Sequence, residues 1–170
     1  MGALQNLRML LLAAWLGCAI YFSAVVAPSA FGVLRSFGLP NSSEIAGAIV
    51  TRTLSVVNTS GFILSLLLLL TLFTVKRLQR WSLVLQFLLL SVIGAATAIG
   101  EWVIAARMRA LRLAMLGHID QTPLTDPNRM AFAALHGYSV AALAIAMMAA
   151  LVVILLMVLS RHNDLRSAPE

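Results

Sequence analysis

The sequence predicts an all-α integral membrane protein, an antiparallel four-helix bundle formed by a single domain over residues 1–170. Hydrophobic residues make up 61% of the chain and charged residues 11%, and the mean hydropathy is +0.97. Soluble domains carry roughly 25% charged residues, so this apolar surface is too large for one aqueous core. Four apolar runs of about twenty residues have the length of spanning helices and are too long for the strands of a membrane barrel.

The first predicted span covers about residues 9–27. We expect it to end at Pro28, because proline lacks a backbone N–H and disfavours helix in the residue before it. Cys18 is the one cysteine of the chain, so an intrachain disulfide is ruled out and a buried helical thiol is expected. After a break at Gly38 and Pro40, residues 41–44 read as an N-cap with an acid in the first turn, which predicts another helix before the second span.

The remaining spans are predicted at about residues 52–75, 81–104 and 131–159. The third continues as a basic amphipathic helix over about 105–116, and Asp126 followed by Pro127 predicts a helix start before the fourth. Short connections make neighbouring helices antiparallel. Small residues allow the helices to approach closely, and Gln86 is expected to bond across helices. The glycines concerned are Gly61, Gly94 and Gly100.

The net charge is +6, from 12 Lys and Arg against 6 Asp and Glu. The basic residues flank the apolar runs and follow no nucleic-acid-binding motif, so we expect no nucleic acid partner. The lipid bilayer, with anionic lipid headgroups, accounts for the charge better. The basic cluster at 76–80 favours cytoplasmic termini under the positive-inside rule. We therefore predict a multi-pass protein of the cell membrane, in bacteria the inner membrane.

Helical rise brings the unusual polar residues to one leaflet. At about 1.5 Å per residue, Arg52, Glu101 and His136 each lie about 31–37 Å from the basic end of their helix, close to the hydrocarbon thickness of about 30 Å. On the fourth helix Arg129, His136 and Ser139 share a face. These five residues form the predicted pocket, at the leaflet opposite the 76–80 cluster.

Each of these residues also has a structural interpretation. Arg52 and Arg129 can extend into the headgroup layer, and a histidine at a helix end is often a hydrogen-bonded packing residue. Glu101 is the one acid beside a span, and either a structural Glu–Arg pair or a functional carboxylate explains it. The sequence leaves both interpretations open.

Two motifs resemble a known family. The first contains Trp15, Gly17, Pro28 and Phe31, and the second extends from 126 to 139 with His136 near its end. Together they resemble the transmembrane-protein-205-like family of small four-span proteins, a domain of unknown function, over roughly residues 10 to 150. The resemblance implies a four-helix membrane bundle and no established reaction. Leu143 stands where the family often has an asparagine, which puts in doubt any network that uses that amide.

Three functional hypotheses follow. The first is a non-enzymatic binding or transport-accessory protein whose pocket holds a small ion, a metal or a lipid headgroup. The second is a membrane redox, haem or metal-handling protein, although His118 falls in a loop and His162 in the opposite tail, so a second axial imidazole is lacking. The third is a structural subunit, as a homo-oligomer or in a membrane complex. No soluble-enzyme motif is present, so no catalytic residue, metal site or cofactor is predicted.

Overall fold

Four long helices make up nearly all of the described chain. The computed structural model describes residues 3–72, 80–115 and 119–166, with side chains as far as Ser160. Each helix is long and apolar enough to cross a membrane, and the described residues contain no strand. The predicted all-α architecture is confirmed, and the chain is a multi-pass integral membrane protein. The helices are α1 (Ala3–Ser36), α2 (Ser42–Leu72), α3 (Arg80–Ala114) and α4 (Pro127–Arg166).

The helices form a closed ring in sequence order. Each packs against its sequence neighbours, and α4 packs against α1. The core between them is apolar, yet only 28–33% of each spanning segment is buried. Large apolar side chains such as Leu70 (73% exposed) and Trp81 (78% exposed) therefore cover the outside, as expected for a surface that faces lipid. Core residues include Leu12, Leu68, Leu90, Ile93, Ala146, Ala150 and Val153.

The expected end of the first helix at Pro28 is wrong. Helix α1 continues through Pro28 to Ser36, and a π-helical turn at Phe22–Val26 precedes the proline. In this turn the Ala27 N–H donates to the Phe22 carbonyl, five residues back. The wider turn accommodates the proline ring and its missing N–H without ending the helix. Ending it there would also expose unpaired backbone groups to hydrocarbon.

The prediction that the helix starting at 41–44 is separate from the second span is also wrong. Helix α2 runs unbroken from Ser42 to Leu72, and the predicted last residues of this span, 73–75, lie outside the described residues. The start agrees with the N-cap pattern, because the Asn41 carbonyl accepts from the N–H groups of Glu44 and Ile45. Most of the basic 76–80 cluster likewise lies outside the described residues.

Helix α3 begins at Arg80 and contains a second π-helical turn at Ile99–Ile104, which the sequence did not predict. Beyond the predicted span the chain stays helical as far as Ala114, and residue 116, the predicted end of the amphipathic extension, lies outside the described residues. Helix α4 is longer than predicted and starts at Pro127. Asp126 caps it, since Asp126 Oδ1 accepts from the N–H groups of Asn128 at 2.8 Å and Arg129 at 3.1 Å, as the Asp–Pro pattern indicates.

Three glycines let neighbouring helices meet at close range. A Cβ added at Gly61 would lie 2.7 Å from the indole of Trp15, and one at Gly94 would lie 2.7 Å from Ser65 Oγ. One at Gly100 would lie 3.1 Å from the side-chain amide of Asn58. In each case a side chain from the adjacent helix occupies the space that a larger residue would fill. The predicted role of these glycines in close packing is confirmed.

Three polar side chains differ from simple expectation. Cys18 is exposed, so the prediction of a buried thiol is wrong. Lipid solvates apolar side chains, and the hydrophobicity of a position therefore does not indicate that it is buried.

Gln86 is buried and donates to Ser82 Oγ on its own helix at 3.2 Å instead of across helices, while its Oε1 has no hydrogen-bond partner. Arg8 is only 2% exposed and donates to the Leu68 carbonyl at 3.3 Å. Arg8 thereby links α1 to α2 near the basic end.

Candidate functional site

A cavity of about 680 Å³ lies between α2, α3 and α4, at the end of the bundle remote from Leu72 and Arg80. We call it the chamber. Arg52 precedes Leu72 by about 30 Å of helix, and Glu101 follows Arg80 by about 31 Å. The chamber therefore lies about one hydrocarbon thickness from the opposite end. Its charged and polar lining includes Arg52, Glu101, Arg109, Arg112, His136 and Ser139.

Glu101 is held by a hydroxyl group. It is half-buried in the π-helical turn of α3, and Ser55 Oγ on α2 donates to Glu101 Oε1 at 2.8 Å. Among the described residues this is the one hydrogen bond of the Glu101 side chain, and no arginine lies within ion-pair distance of it. The interpretation of Glu101 as a structural Glu–Arg lock therefore has no support in the contacts of the described residues, and Glu101 lines the chamber.

Arg112 is fixed in place but incompletely satisfied. Its Nη2 donates to the Glu44 carbonyl at 3.4 Å, and its guanidinium carbon lies 6.0 Å from the ring centroid of Phe132, a cation–π distance. Gly47 leaves room for this packing, since a Cβ there would lie 3.3 Å from Nη2. The Arg112 Nε is buried without a hydrogen-bond partner. A buried charged donor without a partner is costly, whereas the rest of the Arg112 side chain lines the chamber.

The other basic groups of the chamber are unengaged. Within residues 3–72, 80–115 and 119–160, the side chains of Arg52, Arg109 and His136 make no hydrogen bond or ion pair. Arg52 and His136 are exposed, whereas Ser139 is only 8% exposed. The alternative in which His136 is a hydrogen-bonded packing residue therefore finds no partner among the described residues. Arg52, Arg109 and His136 can turn toward a ligand without breaking a hydrogen bond or ion pair to the described residues.

Arg129 does not line the chamber. Its side chain donates to the Thr122 carbonyl in the connection before α4. It shares a helix face with His136 and Ser139, but it lies in the first turn of α4, where the chain of the preceding loop supplies an acceptor. The predicted pocket therefore loses Arg129 and retains the other four residues as neighbours around one cavity.

Arg109 and Arg112 were not predicted as pocket residues. The signal for them was the basic amphipathic extension of α3, in which Glu101, Ala105, Met108 and Arg112 recur at three- and four-residue spacing. All four line the chamber. Helix α3 is continuous past Glu101. Arg109 and Arg112, about two to three turns further along, therefore line the same cavity as Glu101.

The charge balance of the chamber is positive. Three guanidinium groups and one carboxylate line it. No group of three or more His, Cys, Asp or Glu side chains in the described part of the chain could hold a metal ion, and arginines at the cavity wall repel cations. The donors are those that bind phosphate and carboxylate groups. His118 and the side chain of His162, which the haem hypothesis requires, lie outside the described residues.

Both π-helical turns border this region. The turn at Ile99–Ile104 brings Glu101 to the chamber, and the turn at Phe22–Val26 borders a neighbouring cavity between α1, α2 and α4. Single π-helical turns inside α-helices occur frequently at functional sites. Their coincidence with the two adjoining cavities singles out this end of the bundle.

The first motif has a structural role. Trp15 is buried, and its indole N–H donates to the Val57 carbonyl at 3.0 Å. Pro28 and Phe31 line the cavity beside the chamber. Gly17 has no atom within 4 Å of an added Cβ, and nothing in the structure explains its place in the motif. The motif therefore stabilises α1 against α2 and shapes the neighbouring cavity.

Comparison with known proteins identifies the family of the domain but assigns no activity to it. The model of the family described as Domain of unknown function (DUF4149) matches residues 10–116. This is more than half of the chain, and the chain belongs to that family. The match includes Arg52 and Glu101 and ends before His136. It supports an uncharacterised membrane-like domain and not the narrower transmembrane-protein-205-like assignment. No curated protein and no solved structure matches the chain.

Proposed function

We propose that this member of the family is a non-enzymatic membrane binding protein whose chamber accepts the anionic headgroup of a lipid. The excess of arginine around the cavity is the observation that carries the proposal. Three guanidinium groups close together repel one another, and an anion relieves that repulsion. Arginine binds phosphate through two parallel N–H donors, and the Arg52 and Arg109 guanidinium groups line the chamber without a hydrogen bond to the described residues.

The position of the chamber favours a headgroup over a soluble anion. Arg52, Glu101 and His136 belong to helices whose outer faces are apolar, at a helical distance of about one hydrocarbon thickness from the opposite end. At that depth the anionic groups at highest local concentration are those of the lipids themselves. A transport-accessory protein would also have to bind the lipid headgroup in the chamber.

The test is a direct competition between two lipids. The protein is purified in detergent with equal amounts of phosphatidylglycerol and phosphatidylcholine of identical acyl chains, and the retained lipid is measured by native mass spectrometry. We expect phosphatidylglycerol to be retained preferentially. The variants Arg109→Gln and Arg112→Gln each lose about 1.5–3 kcal/mol of charged hydrogen bonding, which corresponds to a loss of preference of about tenfold to hundredfold.

Arg107→Gln is the matched control. Arg107 lies in the same basic segment of α3, is exposed, and does not line the chamber. It removes the same formal charge and is expected to leave the preference unchanged. An equal loss in all three variants would mean that net charge alone attracts the lipid. That outcome, or no preference in the wild type, contradicts the proposal.

We also propose cytoplasmic termini and a cell membrane location, in bacteria the inner membrane, which puts the chamber in the outer leaflet. The basic 76–80 segment supports this orientation, and Arg8 lies at the same end of the bundle, beside Leu68. A fluorescent protein fused to the C-terminus is expected to fluoresce, and alkaline phosphatase fused there to be inactive. Active phosphatase would reverse the orientation.

We also propose, from the resemblance of both motifs, that the chain belongs to the narrower transmembrane-protein-205-like family. The closing motif at 126–139 contains the chamber residues His136 and Ser139 and lies beyond the matched range of 10–116. If the narrower family is correct, its members share a chamber at this end of the bundle. An alignment of such members that lacks basic residues at positions 109 and 112 would contradict it.

A further inference from the structure

A second cavity adjoins the chamber. It has a volume of about 330 Å³ and lies between α1, α2 and α4, and we call it the apolar groove. Its lining is almost entirely hydrocarbon and includes Phe22, Phe31, Val140, Leu143 and Met147. Among the described residues, no Lys, Arg, Asp or Glu side chain lines it, and His136 is the one ionisable group that does. Its chemistry is thus the opposite of that of the chamber.

The two cavities share a wall. Val50, Leu54, His136 and Ser139 line both. The imidazole of His136 and the hydroxyl of Ser139 therefore stand at the junction, with arginines on one side and apolar side chains on the other. A ligand that extends across this junction needs a charged part and a hydrocarbon part that are covalently joined.

The length of the apolar groove matches one leaflet. From His136 to Met147 along α4 the rise is about 16 Å, and half of the hydrocarbon thickness is about 15 Å. The groove thus leads from the chamber toward the middle of the bilayer, the course of an acyl chain whose headgroup lies in the chamber. The π-helical turn of α1 shapes the outer side of the groove through Phe22 and Ser23.

We infer that the ligand is an anionic phospholipid that places its headgroup in the chamber and one acyl chain in the apolar groove. The inference rests on the proposed headgroup site and names the rest of the molecule. An acyl chain is as well solvated by the bilayer as by apolar side chains, so the groove adds little affinity. It fixes the position and direction of the chain, while the arginines select the headgroup.

Photolabelling tests the position of the chain. The protein is reconstituted in vesicles that contain phosphatidylglycerol with a diazirine at the middle of one acyl chain, irradiated, digested and mapped by mass spectrometry. We expect labels concentrated at 22–31 and 139–147, several-fold above other lipid-facing segments. The same diazirine on phosphatidylcholine is expected to label these segments no more than the rest of the outer surface.

Two variants of α4 sharpen the test. Ala144→Phe fills the groove and is expected to lower its labelling several-fold. Ala141→Phe, one turn away on an exposed position outside the groove lining, is the matched control and is expected to leave labelling unchanged. The wild-type labelling map remains decisive if Ala144→Phe does not fold.

The outcomes separate the two proposals. If phosphatidylglycerol is preferred in the competition but the labels spread evenly over the outer surface, the groove inference is overturned and the headgroup site stands. If neither headgroup preference nor concentrated labelling is found, both fall. Labels concentrated in the groove equally from both lipids would make it a general acyl-chain site and would overturn the inferred link to an anionic headgroup.

Discussion

Substituting Gly61 with alanine is expected to lower the melting temperature of the bundle by about 2–12 °C. The added Cβ would lie 2.7–2.8 Å from three atoms of the Trp15 indole. That ring cannot move freely, because it is buried and donates to the Val57 carbonyl. Overpacking of this kind costs about 1–3 kcal/mol, and each kcal/mol shifts the midpoint by about 2–4 °C in a chain of this size.

Two comparisons isolate the cause. Gly17→Ala on α1 adds a Cβ that meets no atom within 4 Å, so it is expected to leave the midpoint unchanged or raise it through helix propensity. In a Trp15→Leu background, Gly61→Ala is expected to cost much less, because the clashing ring is gone. Differential scanning fluorimetry in one detergent measures all five proteins, which are the wild type, the three single variants and the Trp15→Leu/Gly61→Ala double variant. A fall for Gly61→Ala no larger than that for Gly17→Ala would contradict the packing.

Replacing Glu101 with glutamine is expected to increase the preference for phosphatidylglycerol about threefold to tenfold. The carboxylate is the one acidic group in the chamber lining. Two charges about 8 Å apart at an effective dielectric constant of about 20 repel by about 2 kcal/mol, and the open chamber reduces this by screening. Glutamine keeps an oxygen that can accept from Ser55, so the fold is expected to be retained.

This variant distinguishes an anion site from a cation site. If the chamber instead binds a metal or an organic cation, Glu101 is its one anionic ligand and Glu101→Gln removes binding. The measurement is the retained-lipid ratio by native mass spectrometry, with Ser55→Ala as a second variant that loosens the carboxylate without removing its charge. A lower phosphatidylglycerol ratio in Glu101→Gln would show that the carboxylate supports lipid binding and would contradict the electrostatic argument.

Much of the architecture follows from composition and helical rise. Arg52, Glu101 and His136 are remote in sequence. They could be predicted to lie at the same depth in the membrane, because each spanning helix crosses the same hydrocarbon thickness. The cap at Asp126 follows from the need to pair the first N–H groups of a helix. The close approach at Gly61 follows from the small size of glycine. These predictions needed no knowledge of tertiary contacts.

Other features depend on tertiary contacts that sequence spacing does not contain. Pro28 does not end α1, because a π-helical turn absorbs the missing donor. Arg129 points to the Thr122 carbonyl, a choice set by the path of the preceding loop. The exposure of Cys18 could not be inferred, since buried and lipid-facing positions are equally apolar. Arg109 joins the chamber because α3 remains helical beyond the span.

We propose above that a lipid phosphate binds among Arg52, Arg109 and Arg112. Electron cryomicroscopy of the protein in phosphatidylglycerol nanodiscs, with a rigid antibody fragment bound, tests it most directly. We expect headgroup density within hydrogen-bond distance of Arg112 and acyl-chain density that continues past His136 toward Met147. An empty chamber with ordered lipid elsewhere on the bundle, or arginines that point away from one another at different depths, would contradict it.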